Sequence, residues 1–240
     1  MSSHHTSPTD QQSFSMTFLT SHALQEPLRK IQLFSSLLAE DRQSQLSDEA
    51  IIYLEKIMTS VKRMQHITDS LTSYRQLSGH NGTVADFETV DLCLIIKEIV
   101  NEFADTIRLT AASIKIGNLP VVNGRPEQLS ILFTNLITNA LLYVKPGIPP
   151  QVKISSSLVW EDKKEYYKIE VADSGLGFQQ GDAQRIFEPF QRLHSRDKYE
   201  GGGMGLSICR EIAHLHGGLI TVRSVLGEGA TFSVFIPVNR

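Results

Sequence analysis

Four short stretches hold residues whose types and spacing suit chemistry, and the first centres on a histidine. In Ser21-His22-Ala23-Leu24-Gln25-Glu26-Pro27-Leu28, a proline sits inside an apolar-periodic segment. A helical proline removes a backbone hydrogen bond and kinks the helix, at about 3 kcal/mol. His22 falls off the Leu24/Leu28 seam beside that kink. A solvated imidazole there is open to an incoming phosphoryl group, and its neutral, nucleophilic form is well populated near pH 7. In Asn135-Leu136-Ile137-Thr138-Asn139-Ala140 two carboxamides lie four apart, on one face of a helix. A side-chain amide oxygen is a hard, neutral ligand suited to Mg²⁺, which shares its shell with waters and phosphate oxygens. Val171-Ala172-Asp173-Ser174-Gly175-Leu176-Gly177-Phe178 ends an apolar strand in a carboxylate. Such a carboxylate can accept the exocyclic amine of adenine, with the glycines letting backbone approach the base. Gly201-Gly202-Gly203-Met204-Gly205-Leu206 leads into a helix, and glycine amides at a helix N-terminus cradle anions. Each stretch also has an ordinary reading: a surface histidine, an asparagine pair facing water, a turn, a chance glycine run.

The elements that would position these residues fall into two textures. From about residue 10 to 39 the chain reads as one long helix, with Leu24, Leu28, Ile31 and Leu38 near heptad spacing and Ser35 in the missing position. After the polar break DRQSQLSDE, the positions Ala50, Leu54, Ile57, Val61, Met64, Thr68 and Leu71 alternate steps of four and three, which is a coiled-coil seam. Ser47 with Asp48 and Glu49 caps the second helix, and Gly79, Asn81 and Gly82 end it. Two helices with narrow seams leave apolar surface uncovered, so the hairpin is expected to pair with a second copy as a four-helix bundle.

From Phe87 the texture is mixed. Residues 92–109 read as helix, 113–122 as extended, 126–143 as helix, 152–160 and 166–172 as paired strands joined through EDKKE. Residues 204–216 read as a helix ending in Gly217-Gly218, and 219–225 with 230–238 as a hairpin through Gly227 and Gly229. Strands interspersed with helices on one sheet make an α/β sandwich. Between the third and fourth stretches, Phe187, Pro189 and Phe190 precede the charged run HSRDKYE, which reads as a mobile lid with aromatic anchors. The expected domains are therefore a disordered lead or cloning remnant at 1–12, a helical hairpin at 13–80, a linker at 81–86 and an α/β domain at 87–240.

Composition bounds the reading. With 23 Lys and Arg against 26 Asp and Glu, the net charge of −3 gives no whole-protein attraction to nucleic acid or to an anionic membrane, so phosphate binding must be local. Cys93 and Cys209 lack metal or CxxC spacing and read as reduced packing residues of a cytoplasmic protein. No run of 18 apolar residues exists, and MSSHHTSPTD lacks the order of a signal peptide.

Taken together, His22…Pro27, Asn135…Asn139, Asp173-x-Gly175-x-Gly177, Phe187-Glu188-Pro189-Phe190 and Gly201-x-Gly203-x-Gly205 resemble, in order and spacing, the H, N, first glycine, F and second glycine boxes of sensor histidine kinases. The wording SHALQEPLRKI is most similar to phytochrome-like and other soluble-sensor members. The resemblance implies a dimerisation and phosphotransfer hairpin (13–80) followed by a Bergerat-type ATP-binding sandwich (87–240). It also implies autophosphorylation of His22 from ATP, Mg²⁺ as cofactor, transfer to an aspartate of a response-regulator receiver domain, and a sensor domain outside this chain. By position, Asn139 would ligate Mg²⁺ with Asn135 beside it, Tyr143 would pack on the nucleotide, and Asp173 would bind adenine. Gly175, Gly177, Phe187, Phe190, Gly201, Gly203, Met204, Gly205, Leu206 and Thr231 would surround it.

Two positions depart from the pattern. Members usually carry Asp or Glu directly after the phosphoaccepting histidine, where this chain has Ala23, and general-base assistance is typically worth roughly 10²- to 10⁴-fold. Glu26, one helical turn on, is the candidate substitute. A basic residue commonly found three positions after the second Asn is here Leu142, so a charge-assisted phosphate contact is absent unless Lys145 reaches back. The expectation is a kinase core with an impaired transfer step, against the alternative of a nucleotide-binding pseudokinase or scaffold for a receiver domain. An ATPase of the gyrase or chaperone kind is disfavoured, because Asn135 stands where those enzymes usually carry Glu.

Overall fold

The computed structural model describes residues 28–36, 38, 46–47, 49–61, 64, 68, 87–161, 163–189, 191, 193 and 203–239. The chain divides into two compact units, one of residues 1–76 with 200–202 and one of residues 77–199 with 203–240.

In the first unit the backbone is helical over 28–36 (α1) and 49–61 (α2). Ser47 starts α2 as its sequence requires: its Oγ accepts the Ala50 amide at 3.2 Å and its carbonyl accepts the Ile51 amide at 3.1 Å. The heptad positions split into two sets. Leu28, Ser35, Val61 and Thr68 are buried, whereas Ile31, Leu38, Ile57 and Met64 keep 43%, 50%, 46% and 46% of their surface. Ala50 and Leu54 are half-buried, so among the described residues a single chain covers the seam only in part.

The second unit holds a two-stranded and a five-stranded sheet. β1 (Glu88–Asp91) pairs antiparallel with β3 (Val121–Gly124). The larger sheet runs β2-β4-β5-β7-β6, with β2 (Ser113–Ile116) parallel to β4 (Gln151–Glu161). The pairs of β4 with β5 (Lys164–Asp173), of β5 with β7 (Gly229–Pro237) and of β7 with β6 (Leu219–Val225) are antiparallel. Register puts Ile154, Val171, Phe232 and Val222 in one row and Ile169, Val234 and Ile220 in the next, all buried. The opposite face carries Lys168, Glu170 and Arg223, joined by ion pairs of 2.6 and 3.4 Å. Period-two alternation therefore assigns one face to the helices and the other to solvent.

Helix α5 (Pro126–Leu142) packs on β4 and β5, and α6 (Gly205–Leu215) on β6 and β7, with α3 (Leu92–Glu102) against α5. α5 starts with Pro126 in its first turn, where a missing amide is harmless. Leu129, Leu132, Phe133, Leu136 and Ile137 make it the core of the unit.

The helix expected over 92–109 is broken. Phe103 (φ −91°, ψ 11°) ends α3 and starts α4 (Ala104–Thr110), which buries no residue. The apolar stripe of α3 stops at Ile99, so nothing holds a continuous helix on the core beyond it. The extended stretch 113–122 splits likewise into β2 and β3, which belong to different sheets, and the short strand β1 had no separate sequence signal.

Asp91 links β1 to α3 by accepting the Cys93 and Leu94 amides at 2.8 and 3.4 Å. Asp91→Ala is expected to lower unfolding free energy by about 1 kcal/mol without changing the denaturant slope, measured by chemical denaturation of the full chain.

Candidate functional site

The site forms at one end of the α/β unit, where β5 stops and the chain turns sharply. Asp173, the last residue of β5, directs Oδ1 to the amides of Gly175 (2.8 Å) and Ala230 (3.2 Å). Burial pushes its carboxyl above the usual range, opposed by those two amides and by the charge of Lys145. The turn after it admits only glycines at two points. A Cβ on Gly175 would stand 2.2 Å from the Tyr143 carbonyl oxygen, and one on Gly177 (φ +58°) would stand 2.0 Å from that of Val225. Two amides close the turn, Leu176 N–H donating to Tyr143 O (2.9 Å) and Gly227 N–H to Leu176 O (2.7 Å). The C-terminus of α5, the end of β5 and the β6–β7 turn are thus drawn to one place.

A cavity opens there, lined by Asn139, Tyr143, Asp173, Gly177, Phe178 and Leu206, with Ile186, Gln191, Leu193, Ala230 and Phe232 completing it. Asn139 lies in the last turn of α5, Tyr143 caps that helix, and Leu206 comes from the first turn of α6. The wall is mostly apolar, with the Asp173 carboxylate, the carboxamides of Asn139 and Gln191 and the Tyr143 hydroxyl as its polar side-chain groups. That composition suits a flat, partly apolar ring bearing a hydrogen-bond donor.

The other residues singled out from the sequence fall around the cavity or elsewhere. Asn135 does not share it: its Nδ2 donates to the Ile131 carbonyl (2.8 Å), and its Oδ1 faces Gly205, where a Cβ would come within 2.5 Å. Phe187 is buried and packs edge-on against the lining Phe232, centroids 6.4 Å apart. Gly203 has φ +72°, and Met204, buried at the start of α6, accepts the Ile208 amide (3.0 Å) and the Ser207 hydroxyl (2.8 Å) through its carbonyl. Thr231 lines a separate hollow with Asp173, Gln180, Arg223 and Glu228. His22, Ala23, Glu26, Phe190 and Gly201 lie outside the described residues.

Sequence reasoning passed over Phe178, Ile186, Gln191, Leu193, Ala230 and Phe232. The signal for two of them was strand parity: Ala230 and Phe232 alternate with Thr231 on β7, and the row facing the helices is theirs. Among the described residues no group of three or more His, Cys, Asp or Glu is placed to hold a metal ion. A cation here would depend on an amide and on oxygens brought by a ligand. Cys209 is buried, its thiol pushed up by burial, and Cys93 is half-exposed; both are free.

The raised Asp173 carboxyl has a stability consequence. Because the folded state disfavours the anion, stability falls as pH rises from the ordinary carboxylate value to the raised one, and levels off above it. Asp173→Asn keeps an oxygen for the two amides and removes the buried charge. The variant without ligand is expected to melt no lower than the parent at pH 7 and to lose that acid-side slope, as read by calorimetric melts across pH.

With this geometry established, known proteins provide the comparison. Residues 20–79 match the His Kinase A (phospho-acceptor) domain, and residues 124–240 match the histidine kinase-, DNA gyrase B-, and HSP90-like ATPase. The chain is 35% identical over 222 residues to cyanobacterial phytochrome A of a Nostoc species, covering 92% of this chain and 28% of that protein. It is 32% identical over 224 residues to the phytochrome-like protein Cph1 of a Synechocystis species, covering 93% and 29%. The chain therefore spans less than a third of these relatives. The fold is similar to that of full-length ShkA in complex with AMPPNP, with a TM-score of 0.67 at 21% identity, over 94% of this chain and 46% of that one. The two matched domains in this order, over a helical unit and an α/β sandwich, place the chain in the family of sensor histidine kinases, with phytochrome-like relatives.

Proposed function

We propose that this chain is the ATP-dependent kinase core of such a sensor, with ATP held in the α/β unit and His22 as phosphoacceptor. The observation that carries the reading is the convergence of Asn139, Tyr143, Asp173, Gly177 and Leu206, from three separate sequence motifs, on one cavity. Asp173 has one oxygen occupied by two backbone amides, which leaves the other for the amine of adenine. Phe178, Ile186, Leu206 and Phe232 offer the apolar surface that a purine ring requires. Asn139, which lines the cavity, would offer its amide oxygen to Mg²⁺ beside the phosphates, and the cation when bound would neutralise charge on the transferring group.

In the transfer, the neutral imidazole of His22 attacks the γ-phosphorus in line. The nitrogen–phosphorus bond forms, the bond to the leaving oxygen breaks, and the imidazole proton passes to solvent or to Glu26. Ala23 supplies no base for that proton, and Leu142 supplies no cation for the phosphates. The step is therefore slow in this chain. The phosphoryl group then moves to an aspartate of a response-regulator receiver domain.

The exposed seam residues Ile31, Leu38, Ile57 and Met64 support a homodimer through the helical hairpin. A cytoplasmic setting fits these roles, and no helix among the described residues is long and apolar enough to cross a membrane. A sensor domain upstream and outside this chain completes the reading, and the matched share of each relative, under a third, leaves room for it.

Ala23 also favours a second reading, a nucleotide-binding scaffold for a receiver domain that transfers nothing. Incubation with γ-labelled ATP separates the two. The expected result is weak, acid-labile and base-stable label on the parent, none on His22→Gln, and initial labelling faster by on the order of 10²-fold on Ala23→Asp. Binding of ADP with Mg²⁺ by calorimetry, with no label even on Ala23→Asp, would select the scaffold. Steady phosphate release without label on the chain would point to a plain ATPase.

Light scattering is expected to return twice the chain mass, and Ile57→Asp to shift it toward one.

A further inference from the structure

His216 is not among the residues lining the cavity and is 1% exposed at the C-terminal end of α6, with both of its ring nitrogens engaged. Nε2 is 3.1 Å from the backbone nitrogen of Arg125, the residue that begins α5. A backbone N–H can only donate, so Nε2 accepts and carries no proton. Nδ1, 2.8 Å from the Ile212 carbonyl oxygen, is then the protonated nitrogen and donates to it. The ring is thus held neutral in one tautomer. Its faces are confined as well: the Phe87 ring lies 5.0 Å away, and a Cβ on Gly124 would stand 3.0 Å from Nε2. The start of α5 has no side-chain cap, and His216 takes that place from another helix.

Two more contacts lie along the same helix pair. Cys209 Sγ donates to the Leu132 carbonyl (3.5 Å), and Gly205 meets the Asn135 side chain. The sequence numbers rise on one helix as they fall on the other, so α5 and α6 run antiparallel, pinned at Arg125/His216, Leu132/Cys209 and Asn135/Gly205. Beside the last pin, Leu206 of α6 lines the cavity, and one turn further along α5 so does Asn139. We infer that His216 is a positioning residue for nucleotide binding: by hydrogen-bonding across to the start of α5 it sets the register of α6 on α5, and through it the placement of Leu206 and Asn139 in the cavity wall. The inference rests on the cavity being the nucleotide site. Loss of the cross-helix bond lets the pair occupy other registers, and apparent affinity falls with the fraction that remains competent.

The two amide replacements separate positioning from mere packing. An asparagine at 216 can reproduce the Nδ1 bond to Ile212 but falls short of Arg125. A glutamine places its carbonyl oxygen near Nε2 and restores the acceptor. Calorimetry of ADP with Mg²⁺ on the full chain is expected to show affinity down roughly tenfold for His216→Asn and largely recovered for His216→Gln. In the protein without nucleotide, hydrogen exchange at the amides of residues 206–209 is expected to quicken in the first variant and not in the second. Gly124→Ala, which presses on Nε2 from the α5 side, should weaken binding in the same direction and decides the matter if His216→Asn does not fold. Parental affinity in His216→Asn or Gly124→Ala, or equal losses in both His216 variants that follow their melting temperatures, would overturn the inference. If the parent binds no nucleotide, the functional reading fails, and the exchange experiment alone decides the coupling: equal exchange in all variants overturns it.

Discussion

One half-buried carboxylate organises the α/β unit. Asp173 accepts amides from the turn that follows it and from the start of β7, so a single oxygen joins the end of one strand to the beginning of its neighbour. A group of this kind is costly to bury without partners, and its two amides explain why it is tolerated at the end of an apolar strand. The glycines around it follow from the same constraint. Gly229 would place a Cβ 2.1 Å from the Asp173 carbonyl oxygen, just as Gly177 would on Val225. With these backbones in contact, the C-terminal turn of α5 and the first turn of α6 are left facing each other across a gap, and that gap is the site.

The helical unit is built on a different constraint. Its apolar seam is narrow, and among the described residues Ile31, Leu38, Ile57 and Met64 stay exposed. The α/β unit completes its own core, with α5 almost wholly enclosed. Stability in the first unit therefore depends on what covers it, and in the second on what it already contains.

Both the fold class and the positions lining the cavity were partly legible in the amino-acid sequence, for physical reasons that can be named. The strands β4 to β7 announced themselves through alternation and bounding turns, and α5 through an apolar run opened by Pro126. Asp173, Gly177 and Asn139 stood out because a charge, a tight turn and a paired carboxamide are unusual beside apolar segments, whereas Tyr143 and Leu206 were picked out only by the resemblance to the family's motifs. The apolar wall was harder to read. Phe178, Ile186 and Phe232 are indistinguishable in type from core residues; pairing register shows the row of Phe232, while Phe178 and Ile186 lie outside the strands and carry no such signal. The break at Phe103 was hidden because helix propensity continues through it while burial does not. His216 was hidden for a related reason, since a histidine before two glycines reads as a helix end, and the amide it accepts is 91 residues away in sequence.

The order of strands has a consequence for how this protein can change. β5 and β7 are neighbours, although everything from Ser174 to Glu228 lies between them along the chain. The entropy of closing such a long excursion grows only logarithmically, and each doubling of its length costs about 0.6 kcal/mol. Residues 190–202, inside that excursion, can therefore lengthen or diversify with little penalty to the sheet. Four residues of the same excursion, Ser174 to Gly177, cannot accept even a methyl group at two of their positions. Freedom of length and rigidity of backbone sit side by side, so the excursion can change in length while the turn at its start keeps its geometry.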